Sequence, residues 1–255
     1  SSDVCSSDLY SFILNTEPCF NWLLKVSSWL VLLFLILPIL VIVPLSFNAE
    51  PFFSFTEGML TLDPEAYSLR WYREVFNDPK WILAIKNSFF IGILSTILAT
   101  ILGTCAAIGL ARDEMPFRRF ITALLLSPMI VPLIITAAGM FFFYSNLGLA
   151  GGYLGVILAH AALGTPFVII TVTATLTGFD YSLARAALNL GATPIRVFFD
   201  VIMPLIRPGV ISGALFAFIT SFDEVVVILF MAGPQQRTIP RQMFSGLREQ
   251  INPSI

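Results

Sequence analysis

Two adjacent carboxylic acids, Asp223 and Glu224, stand in an otherwise apolar stretch toward the C-terminal end of the sequence. Each acid near the centre of a bilayer costs about 2.5–3.5 kcal/mol on insertion scales, so a pair there requires an explanation. If a helix begins near Gly209, Asp223 lies about 21 Å along its axis, past the membrane midplane. Two interpretations stay open: one or both acids line a wet pathway that attracts a cation, or the helix ends earlier and one acid pairs with Arg237 or caps backbone groups.

The residues next to these acids complete the candidate pathway. Thr220 and Glu224 are four positions apart and share a helical face with Gly213 and Ala217. A face of small residues suits the close approach of a second helix. Phe222, directly before the acids, is the fourth candidate together with Thr220, Asp223 and Glu224.

The composition indicates which solvent surrounds these residues. Of 255 residues, 57% are hydrophobic and 12% are charged, and the mean hydropathy is +0.87. Soluble domains carry about 25% charged residues, so this chain cannot cover a water-exposed surface and membrane lipid must solvate much of it. A net charge of −2 leaves no basic surface for nucleic acid.

Charge-free stretches predict an all-α integral membrane fold with five transmembrane helices. The first stretch is longer than the apolar region of a signal peptide and lacks a small-x-small cleavage site. Pro128 and Pro132 predict a kink in the third span. The chain stops where a sixth span could begin, so either it has five or the last is missing. The predicted spans are 26–46, 87–111, 120–144, 152–177 and 210–232.

The segments outside the predicted spans differ in length, composition and expected side of the membrane. Residues 1–9 form a near-repeat that resembles a non-native tail, and the transmembrane domain is predicted over 22–255. Residues 47–80 predict an external loop with a short interfacial helix, in which Trp71 and Tyr72 suit a membrane interface. Positive charges divide equally between the two sides. The shortness of their loops favours a cytoplasmic position for the side that holds Lys25, Arg112 and Arg185.

Several chemistries lack the residues that they need. His160 is the single histidine, and Cys5, Cys19 and Cys105 have no metal-like spacing, so no metal site or disulfide framework is predicted. No Gly-x-x-x-x-Gly-Lys-Ser/Thr motif occurs, and no cofactor is expected. The second, third and fourth spans contain no Asp or Glu, which disfavours an intramembrane hydrolase.

The loop over 178–208 predicts a helix, a glycine turn and a second helix. Residues 182–190 are good helix formers, and Gly191 stands where a helix ends with positive φ. Pro194 suits the first turn of the next helix, whereas Pro204 and Pro208 are expected to break the chain before the fifth span. The loop is too apolar to be left in water, so it requires a partner or the membrane interface.

This loop resembles the EAA loop of binding-protein-dependent ABC importer permeases. Ala186, Ala187, Gly191 and Pro204 match the family's pattern, and Arg185 stands where the family has glutamate. The resemblance implies that these five residues couple the permease to a separate ATP-binding subunit. It also implies a type I importer fold, a second homologous permease, an external substrate-binding protein and, in most members, six spans in the bacterial inner membrane.

The resemblance extends from about residue 22 and is strongest to the spermidine/putrescine subfamily. The segments that carry it are 68–72, Asn87–Ser88, 221–225 and 233–240. It implies a non-enzymatic permease for polyamines, and permeases for iron(III), sulfate or phosphonates are the alternatives. A secondary transporter that works alone is a further alternative, although no internal repeat with paired broken helices is present.

Overall fold

The computed structural model describes residues 2–52, 54–112, 114–178 and 180–249, and side chains from residue 20 to residue 247 within those ranges. The described chain is helical, and its β-structure is a single bridge between Asn48 and Tyr67. The prediction of an all-α fold is therefore confirmed. Two compact units divide the chain near residue 74, and each is described by itself.

The first unit begins with a long helix, α1 (Ser2–Leu45). Its stretch Phe20–Leu45 is long and apolar enough to cross a membrane, and within it only Leu45, at the C-terminal end, is buried. The predicted tail 1–9 lies, from Ser2 onward, in this helix, and its non-native origin stays a prediction. Two short helices follow, α2 (Glu57–Leu60) and α3 (Arg70–Asn77).

The segment between α1 and α3 folds around the predicted interfacial tryptophan. Trp71 is only 4% exposed, and its indole N–H donates to the carbonyl of Asn48 at 2.7 Å. Asn48 is fully buried and donates in turn to the carbonyls of Phe52 and Ser54, at 3.0 Å each. Trp71 thus holds the loop together from inside, since its polar N–H is satisfied there, and the interfacial position of the loop stays a prediction.

The second unit contains the remaining helices. They are α4 (Pro79–Leu110), α5 (Arg118–Ile130), α6 (Leu133–Asn146), α7 (Tyr153–Thr177), α8 (Tyr181–Asn189), α9 (Pro194–Val197), α10 (Met203–Asp223), α11 (Val226–Met231) and α12 (Ile239–Glu249). Four helical stretches of the described chain are long and apolar enough to cross a membrane, and the bent pair α5–α6 raises the number to five. That upper figure agrees with the five predicted spans.

Helices α4, α7 and α10 form the core of this unit through small residues. A Cβ added at Gly213 of α10 would lie 2.5 Å from Oγ1 of Thr171 and 2.8 Å from Cα of Val168, both on α7. One added at Gly164 of α7 would lie 3.0 Å from Cβ of Ala217. The predicted small-residue face of the fifth span is therefore confirmed as a close helix contact.

The predicted third span, 120–144, is not one straight helix. Helices α5 and α6 meet at 105°, and Val131, the first of the two residues between them, is extended (φ −72°, ψ 137°). A residue before proline is driven out of the α region, so Pro132 makes the break. Pro128 stays inside α5, so the predicted kink comes from one of the two prolines.

The fifth span differs from its predicted limits, 210–232, at both ends. The helix runs from Pro194 to Asp223, and Pro204 and Pro208 do not break it. A π turn over Phe198–Ile202 precedes Pro204, and the Met203 N–H donates to the carbonyl of Phe198. The wider turn accommodates a proline that has no N–H to donate. At the other end, α10 stops at Asp223.

Candidate functional site

The two predicted acids lie at the end of α10, not in the middle of a span. Glu224 has extended backbone angles (φ −74°, ψ 119°), and the chain resumes a helix at Val226. The side chain of Glu224 is 7% exposed, and its Oε1 accepts the N–H of Val227 at 2.9 Å. Glu224 therefore caps the first turn of α11, which agrees with the second of the two interpretations.

The four predicted pathway residues do not converge on one point. Asp223 is exposed, whereas Thr220 and Phe222 are half-buried. The Phe222 ring packs against Phe89 at 5.4 Å and against Phe218 at 5.5 Å between centroids. One carboxylate is thus used inside the fold, and the other is available on the surface.

A buried polar pair that the sequence did not reveal includes Ser221, two residues before Asp223. Nδ1 of His160 on α7 and Oγ of Ser221 on α10 are 2.8 Å apart, and both side chains are buried. Nε2 of His160 has no hydrogen-bond partner. The single histidine of the chain therefore joins α7 to α10 immediately before the chain breaks at Glu224.

Asn87 fastens the segment that follows the break. Its Nδ2 donates to the carbonyls of Gln235 and Arg237, at 2.8 Å each, and its Oδ1 accepts the hydroxyl of Tyr153 at 3.0 Å. Oγ of the neighbouring Ser88 accepts the N–H of Ile239 at 2.9 Å. We call residues 224–238 the re-entrant segment, because the helix breaks at Glu224 and the loop after α11 is bound back to the start of α4.

The other end of α10 carries the hairpin of α8 and α9. Oδ1 of Asp180 accepts the N–H of Ser182 at 2.8 Å, and its Oδ2 accepts the Ser182 hydroxyl at 2.7 Å. These two hydrogen bonds, helped by the charge of Arg185, hold the pKa of the Asp180 carboxyl below its ordinary value. Asp180 is thus an N-cap of α8 that acts in its ionised form.

Gly191 ends α8 as predicted. It has φ +87°, its N–H donates to the carbonyl of Leu188 at 3.0 Å, and the next N–H, of Ala192, donates to the carbonyl of Ala187 at 3.1 Å. This pair of bonds is a Schellman motif, which requires a left-handed residue at the turn. Thr193 and Pro194 then start α9, with Oγ1 of Thr193 accepting the N–H of Arg196.

The hairpin of α8 and α9 exposes large apolar side chains on its surface. Leu190 is 89% exposed and Ile195 is 73% exposed. Arg185, Ala186 and Gly191 are also exposed, whereas Ala187 is half-buried and Pro204 is exposed at the start of α10. The structure thus gathers four of the five predicted coupling residues on α8 and its C-terminal turn, with Pro204 beyond the π turn.

Among the described residues, no group of three or more His, Cys, Asp or Glu side chains could hold a metal ion. What the geometry offers is a membrane helix with a carboxylate at one end and an exposed apolar hairpin at the other.

Three comparisons place this architecture among known proteins. A family model described as "Binding-protein-dependent transport system inner membrane component" matches residues 99–253, more than half of the chain. The putrescine transport system permease protein PotI of Escherichia coli (strain K12) is 34% identical over 233 residues, covering 87% of this chain and 79% of PotI. The spermidine/putrescine transport system permease protein PotC of Haemophilus influenzae is 31% identical over 222 residues, covering 87% and 83%.

The fold has a solved counterpart. A bacterial ABC transporter involved in the import of the acidic polysaccharide alginate matches with a TM-score of 0.69 over 91% of this chain and 80% of that chain, at 18% identity. Identity this low shows the fold and not the substrate. Together with the family match, it makes this chain a multi-pass permease subunit with a type I ABC importer fold, a member of the family of inner membrane components of binding-protein-dependent transport systems.

Proposed function

We propose that this permease imports polyamines and that a separate ATP-binding subunit drives it through the α8–α9 hairpin. The observation that carries the substrate class is the similarity to the putrescine permease PotI, at 34% identity over 87% of the chain. Putrescine and spermidine are multiply charged cations at neutral pH, so a pathway for them requires negative charge where they enter.

The carboxylate of Asp223 supplies such a charge. It is exposed at the end of α10, and no described cationic side chain lies within ion-pair distance of it. An unneutralised carboxylate at the end of a membrane helix attracts cations and disfavours anions such as sulfate and phosphonate. Phe222 and Thr220, on the same turn of α10, provide the adjoining pathway wall in this proposal.

The hairpin supports the coupling role. Leu190 and Ile195 are largely exposed, which is costly in water and favourable against an apolar groove on a partner. The chain has no phosphate-binding glycine loop, so ATP hydrolysis is assigned to the partner. Arg185 occupies the position of the family's glutamate, and we therefore assign it a contact with an acidic residue of the ATP-binding subunit.

Two further partners complete the proposed importer. A second permease subunit faces this one to enclose the pathway, and an external binding protein delivers the polyamine to the end of α10 that carries Asp223. Iron(III) import is the second candidate, because Asp223 suits any cation. The lack of a three-ligand metal group among the described residues favours the organic cation.

Reconstitution tests this proposal. The purified complex of permeases, ATP-binding subunit and binding protein is placed in liposomes, and uptake of labelled spermidine, putrescine, iron(III), sulfate and a phosphonate is compared with and without ATP. We expect ATP-dependent uptake of the polyamines alone. Transport without ATP would identify a secondary transporter, and uptake of iron(III) or an anion instead of polyamine would overturn the substrate assignment.

The acids are tested in the same system. We expect D223N to lower polyamine uptake about tenfold, because it removes the exposed charge without touching a buried hydrogen bond. E224Q retains an oxygen that can accept the Val227 N–H, so its uptake should fall less than that of D223N. E114Q, which changes an exposed acid in the α4–α5 turn, is the matched control. Normal uptake by D223N would exclude Asp223 from the pathway.

A further inference from the structure

Two arginines stand close together at the start of α12 without an acidic partner. Arg237 and Arg241 are both half-buried, and no carboxylate of a described residue lies within 4 Å of either. Partial burial, and then the neighbouring charge of Arg237, lower the pKa of Arg241 from its ordinary value. Like charges held together in partial burial destabilise a fold unless an anion compensates for them.

Most of their hydrogen-bonding capacity is unused. Nη1 of Arg241 donates to the carbonyls of Ala232 and Gly233, at 2.9 and 3.0 Å. Nη1 of Arg237 donates to Oε1 of Gln242 at 2.8 Å. A guanidinium has five N–H donors in a planar fork. The Nε and Nη2 groups of both arginines are left without an acceptor in the described chain.

The residue between them in sequence is also unsatisfied. Thr238 is 3% exposed, and its Oγ1 has no hydrogen-bond partner. Buried hydroxyls without a partner are uncommon in folded proteins. The Thr238 hydroxyl is closed off from the surface, so the donors that an incoming acceptor can meet are those of the two arginines, which lie within one turn of chain.

A purely structural role explains only part of this arrangement. The two bonds from Nη1 of Arg241 satisfy carbonyls at the C-terminal end of α11, as a cation at a helix end commonly does. That role needs neither Arg237 nor the rest of the Arg241 fork. It also does not account for the second positive charge beside the first.

We infer that Arg237 and Arg241 form a docking site for carboxylate side chains of the external substrate-binding protein. The inference rests on the proposed function, because it uses the binding protein proposed there. The site belongs to the chain that leads from the re-entrant segment into α12, and Asn87 binds the carbonyl of Arg237, so the site lies at the same end of the bundle as Asp223. Two uncompensated cations repel a polyamine, so they suit an acidic protein surface beside the pathway and not the pathway itself.

The test uses the complete transporter in nanodiscs and the purified, polyamine-loaded binding protein. Affinity is measured by biolayer interferometry for the wild type, R237Q, R241Q and R241K, at 50 and 300 mM salt. K80Q, which removes an exposed lysine from the first turn of α4, is the matched control. We expect R237Q and R241Q each to weaken binding about tenfold at low salt and to reduce its salt dependence. R241K keeps the charge but loses the fork, and it should lie between wild type and R241Q.

The outcomes separate this inference from the proposed function. Unchanged affinity in both glutamine variants, with normal polyamine uptake by the wild type, overturns the docking site alone. Failure of the wild type to bind the protein or to take up polyamine overturns both. R241Q also loses two hydrogen bonds to backbone carbonyls, a loss that can by itself destabilise the protein. If R241Q melts at a lower temperature than the wild type, the result for R237Q decides, because R237Q loses only one hydrogen bond, to Gln242. If the glutamine variants bind the protein normally but lose stabilisation by phosphatidylglycerol relative to phosphatidylcholine, the site binds lipid and the inference is wrong.

Discussion

The two ends of α10 differ in how their polar groups are hydrogen-bonded and in how far their apolar side chains are exposed. At the Asp223 end, Glu224, Ser221, His160 and Asn87 are buried and hydrogen-bonded to neighbouring segments of the chain. At the other end, caps between residues close in sequence satisfy the ends of α8 and α9, and Leu190 and Ile195 are exposed.

We call the Asp223 end of α10 the closed end, because its polar side chains are buried and hydrogen-bonded. We call the hairpin end the open end, because its apolar side chains are exposed. Long-range hydrogen bonds hold the re-entrant segment to α4 and α7, so its shape depends on the whole bundle. The hairpin is shaped by hydrogen bonds between residues close in sequence, so its shape depends less on the rest of the bundle. A rigid local structure with an exposed apolar surface suits the transmission of force between subunits.

The largest effect on stability is expected when hydrogen bonds are removed at the closed end. N87A removes the donor to the carbonyls of Gln235 and Arg237 and the acceptor for Tyr153. Leaving partly buried polar groups unpaired should lower the free energy of unfolding by about 3 kcal/mol. Equilibrium denaturation in mixed detergent micelles measures the loss.

The control for this variant is N146A, because Asn146 is exposed at the end of α6 and makes no hydrogen bond through its side chain. It should change stability by less than about 0.5 kcal/mol. If N87A were as stable as N146A, the bonds of Asn87 would not hold the re-entrant segment, and the contrast between the two ends would fail.

A smaller effect is expected at the open end, and it should appear in coupling and not in stability. G191V forces a β-branched residue to φ +87° and distorts the turn between α8 and α9. We expect the ATPase activity stimulated by the binding protein to fall about tenfold, while the assembled complex is recovered in normal yield.

Two substitutions make this experiment specific. G191N should retain most of the activity, because asparagine tolerates the left-handed region. G178V places the same side chain at an ordinary φ of −91° and in open space, and it should behave as wild type. If G191V retained the full ATPase stimulation by the binding protein, the hairpin would not transmit force between the subunits.

The smallest effect concerns the cap of α8. Because the pKa of Asp180 is lower in the folded protein, its stabilisation is present above the ordinary aspartate pKa of about 3.9 and is lost as pH falls through the folded value. Hydrogen exchange of the α8 amides should therefore lose protection several-fold between pH 5 and pH 3. D180N keeps a capping oxygen that does not titrate. The difference in amide protection between D180N and the wild type should therefore disappear as the pH is lowered. The same pH response in both proteins would exclude Asp180 as its cause.

Much of the helical framework was predictable because it follows from local composition. The prediction of 152–177 differs from α7 by one residue at its start. The prediction of 87–111 for α4 begins eight residues late, since it followed the absence of charge. The helix is instead started by the local cap at Asp78, whose Oδ1 accepts the N–H of Lys80, with Pro79 in the first position.

By itself, the sequence determined the membrane class, the number of apolar segments and the turn at Gly191, because hydropathy and backbone sterics act over a few neighbouring residues. The tertiary structure decided the roles of Glu224, His160 and Asn87. Glu224 acquires its role from a helix break that charge patterning does not show, His160 from Ser221 at 61 positions away, and Asn87 from carbonyls about 150 positions away. A buried polar group acquires its role from whichever donor or acceptor the packed helices bring to it, and no local pattern specifies that partner.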